Sequence, residues 1–207
     1  GTPENIRKFH PNIIVSSTGS APLLPPIAGL KDRIDNENHN IYSILGMISH
    51  INDFPKDLEG KKVVVVGGGA VGLDVVEFFA DRNADISIVE MMDQIGRDLD
   101  PVSKNDTKTM MKKHNVHQLT KTALLEVKDS SFLVRGDGEP YELPFEYGFV
   151  CLGMRAQGQL YQNLTDEFSS EDVEIMNIGD SQRARRIIDG TQEGRNVLTV
   201  LEQKGYL

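Results

Sequence analysis

A run of valines after two lysines is the strongest signal in the hydrophobic pattern of this chain. The apolar residues at 63–66 are consecutive, which predicts a strand buried on both faces of a sheet. Dense apolar positions at 73–82 predict a packed helix, and a second apolar run at 86–89 predicts another buried strand. In this order the three segments form one βαβ unit, in which a helix joins two parallel strands.

After residue 123 the apolar positions alternate with period 2, which is typical of half-buried strands. Three such segments, separated by short polar or glycine-containing turns, predict a β-meander at 123–128, 132–135 and 141–143. The apolar segment 147–152 then predicts one more buried strand.

The two ends of the chain each carry one apolar strand followed by a glycine turn, at 12–17 and at 173–178. A long final helix is predicted for 185–204. Its apolar face comprises Ile187, Ile188, Val197, Leu198 and Leu201.

Weaker patterns fill the remaining stretches. A short helix is predicted between Ser43 and Asn52, and a longer one at 103–115, with Ser103 as its cap. Charged and polar composition predicts loops at 31–40 and at 155–171.

Three glycines follow the valine strand in the G-x-G-x-x-G spacing, at Gly67, Gly69 and Gly72. The first permits a tight turn, the second lets a pyrophosphate approach the backbone, and the third lets helix and strand pack closely. Unpaired amides at the start of the helix, and its dipole, favour negative charge there. Because strand, glycines, helix and strand occur in the right order, the unit predicts dinucleotide binding; a glycine-rich turn that binds nothing is the alternative.

An acidic residue, Glu90, follows the second strand of this unit. Its carboxylate can accept hydrogen bonds from an adenosine ribose and would repel a 2′-phosphate, so NADH is predicted rather than NADPH. The predicted nucleotide-binding residues are Gly67, Gly68, Gly69, Ala70, Val71, Gly72, Glu90 and Met91.

The predicted elements define an α/β fold: a Rossmann-like three-layer domain of a central parallel sheet, helices and a β-meander. The sequence divides into an N-terminal flank at 1–57, the nucleotide-binding domain at 58–153 and a C-terminal flank at 154–207.

Composition limits the classes of partner. The chain has 207 residues, a net charge of −9 and a pI near 5.0, which disfavours nucleic acid as a partner. No apolar run approaches the ~20 residues of a membrane span. The N-terminus is polar and shows no signal-peptide pattern. The single cysteine fits a reducing compartment, so a cytoplasmic location is expected.

Candidate chemistry outside the nucleotide site is sparse. The single cysteine, Cys151, excludes an intrachain disulfide and a cysteine-ligated iron–sulfur cluster, and its apolar strand predicts a buried, inert thiol. His114 and His117 lack a third ligand nearby, so no metal site is predicted. No catalytic acid, base or nucleophile is predicted in the chain.

Several stretches resemble flavoproteins that have two dinucleotide-binding domains. Segment 12–22 is similar to their strand and ATG turn, and Val150-Cys151-Leu152-Gly153 is similar to the glycine turn that closes their NADH domain. Ile178-Gly179-Asp180 and segment 186–196 resemble their terminal GD flavin motif and helix. The tail most resembles the NADH:flavin oxidoreductase group, which includes 2-enoate reductases and 2,4-dienoyl-CoA reductases.

The resemblance implies two cofactors, NADH and FAD, and adds residues to the site. Gly153 is expected near the nicotinamide side of NADH, and Asp180 is expected to hydrogen-bond the ribityl chain of FAD. The residues that the resemblance places beside FAD are Thr18, Gly19, Gly179, Asp180, Ile187 and Ile188. The last two stand at a helix start, where the amides would stabilise reduced, anionic flavin.

The chain also departs from this group. A second G-x-G-x-x-G unit for the ADP half of FAD is absent, as is the N-terminal barrel that would carry FMN and an iron–sulfur cluster. Ser17 and Asp74 stand where relatives usually carry Ala and Glu. The chain is therefore expected to be an excised C-terminal fragment, whose flanks are pieces of an incomplete FAD-binding domain. Its expected partners are the missing barrel and FAD half-domain of the same polypeptide.

The predicted function is that of an NADH-binding fragment of a flavin-dependent oxidoreductase, which passes hydride from NADH to FAD to reduce an activated C=C bond in a small molecule. The fragment alone is expected to be inactive, binding NADH weakly and FAD hardly at all. The alternatives are a fragment of a pyridine nucleotide-disulfide reductase or NADH oxidase, and a non-catalytic NAD-sensing module. The unpaired edge of the strand at 12–17 predicts self-association.

Overall fold

The computed structural model describes residues 1–206. The helices are α1 (Pro3–Arg7), α2 (Leu30–Arg33), α3 (Ile44–Ser49), α4 (Ala70–Ala80), α5 (Pro101–Lys113), α6 (Gln159–Glu167) and α7 (Ile187–Gln203). The strands are β1 (Ile13–Ser16), β2 (Ser20–Pro22), β3 (Ile41–Tyr42), β4 (Lys62–Val66), β5 (Asp85–Val89), β6 (His117–Leu119), β7 (Ala123–Val127), β8 (Ser131–Arg135), β9 (Tyr141–Pro144), β10 (Tyr147–Val150), β11 (Met154–Ala156) and β12 (Glu174–Asn177). Within the described residues, no helix has the length and apolar composition that crossing a bilayer requires.

The chain builds two compact units, one from residues 22–153 and one from residues 1–21 together with 154 onwards. The first unit thus begins at Pro22 rather than at residue 58, because the residues between them belong to its core: Leu30 and Ile41 are fully buried there. Its two ends are adjacent, since the Leu23 N–H donates to the Gly153 carbonyl at 2.9 Å.

A five-stranded parallel sheet in the order β3-β10-β4-β5-β6 forms the centre of unit 22–153. The valine strand β4 lies in the middle, where Val65 pairs with Phe149 on one side and with Ile88 on the other. This position explains the consecutive valines, because a central strand has no face that meets water.

Successive valines face opposite layers. Val63 and Val65 belong to the core that packs α4 and α5 on the sheet, while Val64 and Val66 belong to the core beneath the antiparallel meander β7-β8-β9. Sheet, helices and meander therefore form three layers, which confirms the predicted Rossmann-like fold.

The start of α5 differs from the prediction. The cap is Asp100, whose Oδ1 accepts from the Val102 and Ser103 amides at 3.0 and 3.2 Å. The predicted cap, Ser103, lies inside the helix and donates its hydroxyl to Asp100 Oδ2 at 2.6 Å. Asp100 is the better cap for two reasons. The ring of Pro101 fixes the φ of the first helical residue near its helical value, and the negative charge of Asp100 interacts favourably with the positive end of the helix.

Both predicted loops contain regular structure. Segment 31–40 begins inside α2, which is anchored by Leu30. Segment 155–171 contains most of β11 and all of α6, which is anchored by Leu164 and by Phe168 just beyond its end. In each case a few buried apolar residues stabilise a helix, although the average composition of the segment is polar.

The second unit contains a two-stranded parallel sheet of β1 and β12, in which Ile14 pairs with Ile175. Its core joins Ile14 to Leu164 and Phe168. The final helix α7 is mostly exposed, which differs from the buried face that its pattern suggests: Ile187 and Leu198 are 90% and 65% exposed, whereas Leu201 is buried.

Candidate functional site

Packing requires two glycines at the junction of β4 and α4, one in the turn and one in the first turn of the helix. Gly67 adopts φ +109°, and a Cβ there would lie 2.2 Å from the Cys151 carbonyl oxygen. A Cβ on Gly72 would lie 1.9 Å from the Gly67 carbonyl oxygen. No side chain fits either position, so both glycines let the helix approach the sheet edge closely.

Gly69 is different, because a Cβ at this position would meet nothing within 4 Å. It is the N-cap of α4, with extended backbone at φ −79° and ψ −179°. The following amides of Ala70 and Val71 stand in the first turn, where no helical carbonyl can accept from them. Packing does not explain the glycine at 69, and open space at a helix start is the arrangement that admits a phosphate.

The Glu90 carboxylate lies at the same turn. Its Oε2 accepts from the Gly68 N–H at 2.6 Å, and its Oε1 accepts from the Met92 N–H at 2.7 Å. Within residues 1–206 it makes no ion pair with a lysine, arginine or histidine. The structure therefore brings the predicted acid and the glycine turn together, with the negative charge of Glu90 left uncompensated by a cation.

Two further predicted residues lie at ends of the parallel strands. Gly153, after β10, has φ +103° and open space where a Cβ would stand. Met91 follows Glu90 and is 69% exposed. Their contact with a nucleotide stays a prediction.

A surface cavity of about 350 Å³ lies between α4 and α5, beside the start of α4. Its lining includes the carboxylates of Asp74, Glu77 and Asp106. Partial burial raises the pKa of the Asp74 carboxyl above its usual value. This lining of carboxylates disfavours an anion inside the cavity.

The thiol of Cys151 is buried beside the glycine turn. Burial raises its pKa to about 12, and the nearby Asp74 carboxylate adds to the shift. A thiolate is the reactive form, so the structure agrees with the predicted inert thiol.

We therefore expect Cys151 in the folded chain to resist a water-soluble maleimide at pH 8, and to react fully once the chain is unfolded in guanidinium. Mass spectrometry after timed labelling measures this. Stoichiometric labelling of the native chain within minutes would contradict the burial of the thiol.

The GD turn, Gly179-Asp180, lies in the second unit, and its hydrogen bonds centre on the Asp180 carboxylate. Its Oδ2 accepts from the Ser20 hydroxyl and its Oδ1 from the Arg185 N–H, both at 3.1 Å. Gly19 and Gly179 have φ +77° and +67°, and a Cβ on either would meet nothing within 4 Å. Both backbones are open, and the Asp180 oxygens keep further acceptor sites.

The remaining predicted flavin residues lie around this turn. The Thr18 hydroxyl donates to the Gln157 carbonyl at 2.6 Å. The last helix begins at Ile187, two residues after the predicted start at 185, and Ile187 and Ile188 are 90% and 60% exposed. Their contact with FAD stays a prediction.

One residue of segment 186–196, Glu193, contacts this turn, although the sequence analysis did not single it out as a site residue. Its Oε2 accepts from the Gly179 N–H at 2.6 Å, and its carboxylate also pairs with Arg185. The two hydrogen-bonding partners lower the pKa of the Glu193 carboxyl, the Gly179 amide more than Arg185. No spacing rule links residues 179 and 193, so only the fold reveals this contact.

The parallel sheet, the glycine turn that opens a helix and the acid at the end of the next strand define a Rossmann-like dinucleotide-binding fold. The family model described as pyridine nucleotide-disulphide oxidoreductase matches residues 5–177. The chain belongs to this family of flavoprotein oxidoreductases.

Two curated relatives match almost the whole chain at low sequence identity. It is 27% identical to an NADH oxidase from Thermoanaerobacter brockii, over 94% of this chain and 28% of the relative. It is 26% identical to a metal reductase from Desulforamulus reducens, over 94% of this chain and 32% of the relative. The chain thus spans about a third of the length of these relatives.

Among solved structures, a 2-naphthoyl-CoA reductase in complex with 2-naphthoyl-CoA matches with a TM-score of 0.77. The match covers 94% of this chain and 27% of that one, at 21% sequence identity. It supports the fold assignment.

Proposed function

We propose that unit 22–153 binds NADH and presents it to a flavin in a larger oxidoreductase. One observation carries this proposal: packing requires glycine at positions 67 and 72, but at position 69 a Cβ would meet only open space. A glycine turn that served packing alone would have no need of Gly69. The free space lies at a helix start beside Glu90, as a diphosphate and its ribose would require.

The residues of this chain would bind and orient rather than exchange protons. The first-turn amides of α4 would hold the pyrophosphate, Glu90 the adenosine ribose, and Gly153 would let the nicotinamide end pass close to the backbone. Asp180 and the turns at Gly19 and Gly179 would hold FAD, which supplies the hydride acceptor. Orientation of donor and acceptor is the contribution that the protein makes to such a transfer.

For the whole protein we propose reduction of an activated C=C bond in a small molecule, of the enoate or dienoyl-CoA type. The similarity of the tail to the NADH:flavin oxidoreductase group supports this choice. The rest of the same polypeptide would supply the ADP half of the FAD site and a barrel with FMN and an iron–sulfur cluster. An NADH oxidase is the second candidate, which the Thermoanaerobacter brockii relative favours.

The cofactor assignment is tested by titrating the 207-residue chain with NADH and with NADPH, followed by nicotinamide fluorescence. We expect NADH to bind at least about tenfold more tightly, because the unpaired charge of Glu90 opposes a 2′-phosphate. Glu90→Gln removes that charge and should narrow the difference, whereas Glu139→Gln removes an equal charge from the exposed β8–β9 turn and should not. Equal affinity for both nucleotides in the unaltered chain would reject the assignment.

The reaction is tested on the complete reading frame. Anaerobic oxidation of NADH by 2-enoates or dienoyl-CoA thioesters would support the first candidate. Rapid consumption of oxygen with NADH, without any effect of these substrates, would support the oxidase instead.

A further inference from the structure

Both oxygens of the Glu90 carboxylate accept a backbone hydrogen bond. The Gly68 N–H lies 2.6 Å from Oε2 and the Met92 N–H lies 2.7 Å from Oε1. Hydrogen bonds to an ionised acceptor are about twice as strong as those between neutral groups. Glu90 therefore ties the turn after β4 to the loop after β5.

The Gly68 peptide is held at both of its polar groups. While its N–H donates to Glu90, its carbonyl accepts from the Gly96 N–H at 2.7 Å. Just before it, the Gly67 N–H donates to the Val89 carbonyl at 2.8 Å. Consecutive glycines have unusually large conformational freedom when unrestrained, so this turn depends on such bonds to keep one shape.

We propose that Glu90 is a positioning residue for the glycine turn, in addition to its contact with ribose. This inference rests on the proposed NADH function and deepens it. A carboxylate offers about four acceptor sites, so each oxygen of Glu90 keeps one for a hydroxyl after binding its amide. The ligand class that fits is a dinucleotide whose adenosine ribose carries free 2′ and 3′ hydroxyls.

The same geometry assigns the phosphate contacts. A phosphate at the Gly68 N–H would have to displace a carboxylate of the same charge sign. The amides of Ala70 and Val71 have no such occupant, and they stand at the positive end of α4. The pyrophosphate therefore binds Ala70 and Val71, and Gly68 stays with Glu90.

Amide hydrogen exchange of the 207-residue chain, read by NMR without ligand, tests the positioning role. Glu90→Ala removes both acceptors and should speed exchange at Gly68 and Met92 by about tenfold, the equivalent of one hydrogen bond. Glu90→Gln keeps one acceptor atom, so exchange at one of these two amides should be rescued. Glu139→Gln, which removes the same charge from an exposed turn, should leave both amides unchanged.

Wild-type exchange at Gly68 in Glu90→Ala would overturn the inference, as would a uniform rise across β4 and α4, which would signify general destabilisation. A second readout is the amide shift on adding NADH to the unaltered chain. We expect larger shifts at Ala70 and Val71 than at Gly68, and the reverse order would also overturn it.

The positioning role of Glu90 and its contact with ribose can be rejected independently of each other. Faster exchange at Gly68 in Glu90→Ala, together with unchanged NADH affinity, would support the positioning role and reject the ribose contact. Lost affinity with unaltered exchange would retain the ribose contact and reject the positioning role.

Discussion

Alanine at position 69 is expected to weaken NADH binding by at least about tenfold while it changes the free energy of unfolding by less than ~1 kcal/mol. The added methyl group meets nothing within 4 Å, and the backbone at Gly69 is extended, which any residue adopts. The space that it fills is where we place the pyrophosphate. Fluorescence titration with NADH and urea unfolding measure the two effects.

Two matched variants make this result specific. Gly67→Ala should cost about 2–3 kcal/mol of stability, because φ is +109° and the Cβ would lie 2.2 Å from a carbonyl oxygen. Gly138→Ala adds a methyl group to the open β8–β9 turn and should change neither stability nor affinity. If Gly69→Ala binds NADH like the unaltered chain, the diphosphate does not lie at this turn.

Replacement of Phe79 by alanine is expected to lower the free energy of unfolding by about 3–5 kcal/mol. The ring is fully buried under the sheet and lies 4.7 Å from the ring of Phe149 and 5.2 Å from that of Phe54, between centroids. Removing it leaves a cavity among aromatic groups that cannot collapse without moving the sheet. Urea unfolding, with an unchanged dependence on denaturant, measures the loss.

Phe9→Ala serves as the control, because that ring is 83% exposed and should be almost neutral. NADH binding by the Phe79→Ala variant should persist in the absence of urea, since the ring lies in the core and not at the glycine turn. A loss of stability equal to that of the control would mean that α4 does not pack on β4 and β10 as described.

The central unit could be predicted because its signals are local and agree with one another. The valine run, the glycine spacing and Glu90 each specify the same βαβ unit, and the period-2 alternation after residue 123 specifies the meander. Burial on both faces of β4 follows from four apolar residues in succession, with no knowledge of its neighbours.

The missed helices had a signal that average composition concealed. Leu160, Leu164 and Phe168 recur every four residues, which is the spacing of one helix face. Leu30 and Ile34 have the same spacing around α2. The four-residue spacing of these apolar residues predicts both helices, whereas the average polarity of the two segments does not.

The geometry of the site could not be predicted in full. The fingerprint spacing assigns separate roles to Gly67, Gly69 and Gly72, but only the structure gives the distances that a Cβ would have at each of these positions. The contacts of Glu90 with Gly68 and of Glu193 with Gly179 join segments whose approach depends on tertiary structure. The exposure of α7 likewise depends on which residues pack against it, and the hydrophobic periodicity of the helix carries no information about them.

The hydrogen bond between Leu23 and Gly153 has a consequence for engineering. The two ends of segment 22–153 are adjacent. The segment can therefore be deleted, or replaced by the corresponding segment of a relative, by joining two chain positions that already lie side by side. Such an exchange leaves the path of residues 1–21 and of those from 154 onwards unchanged.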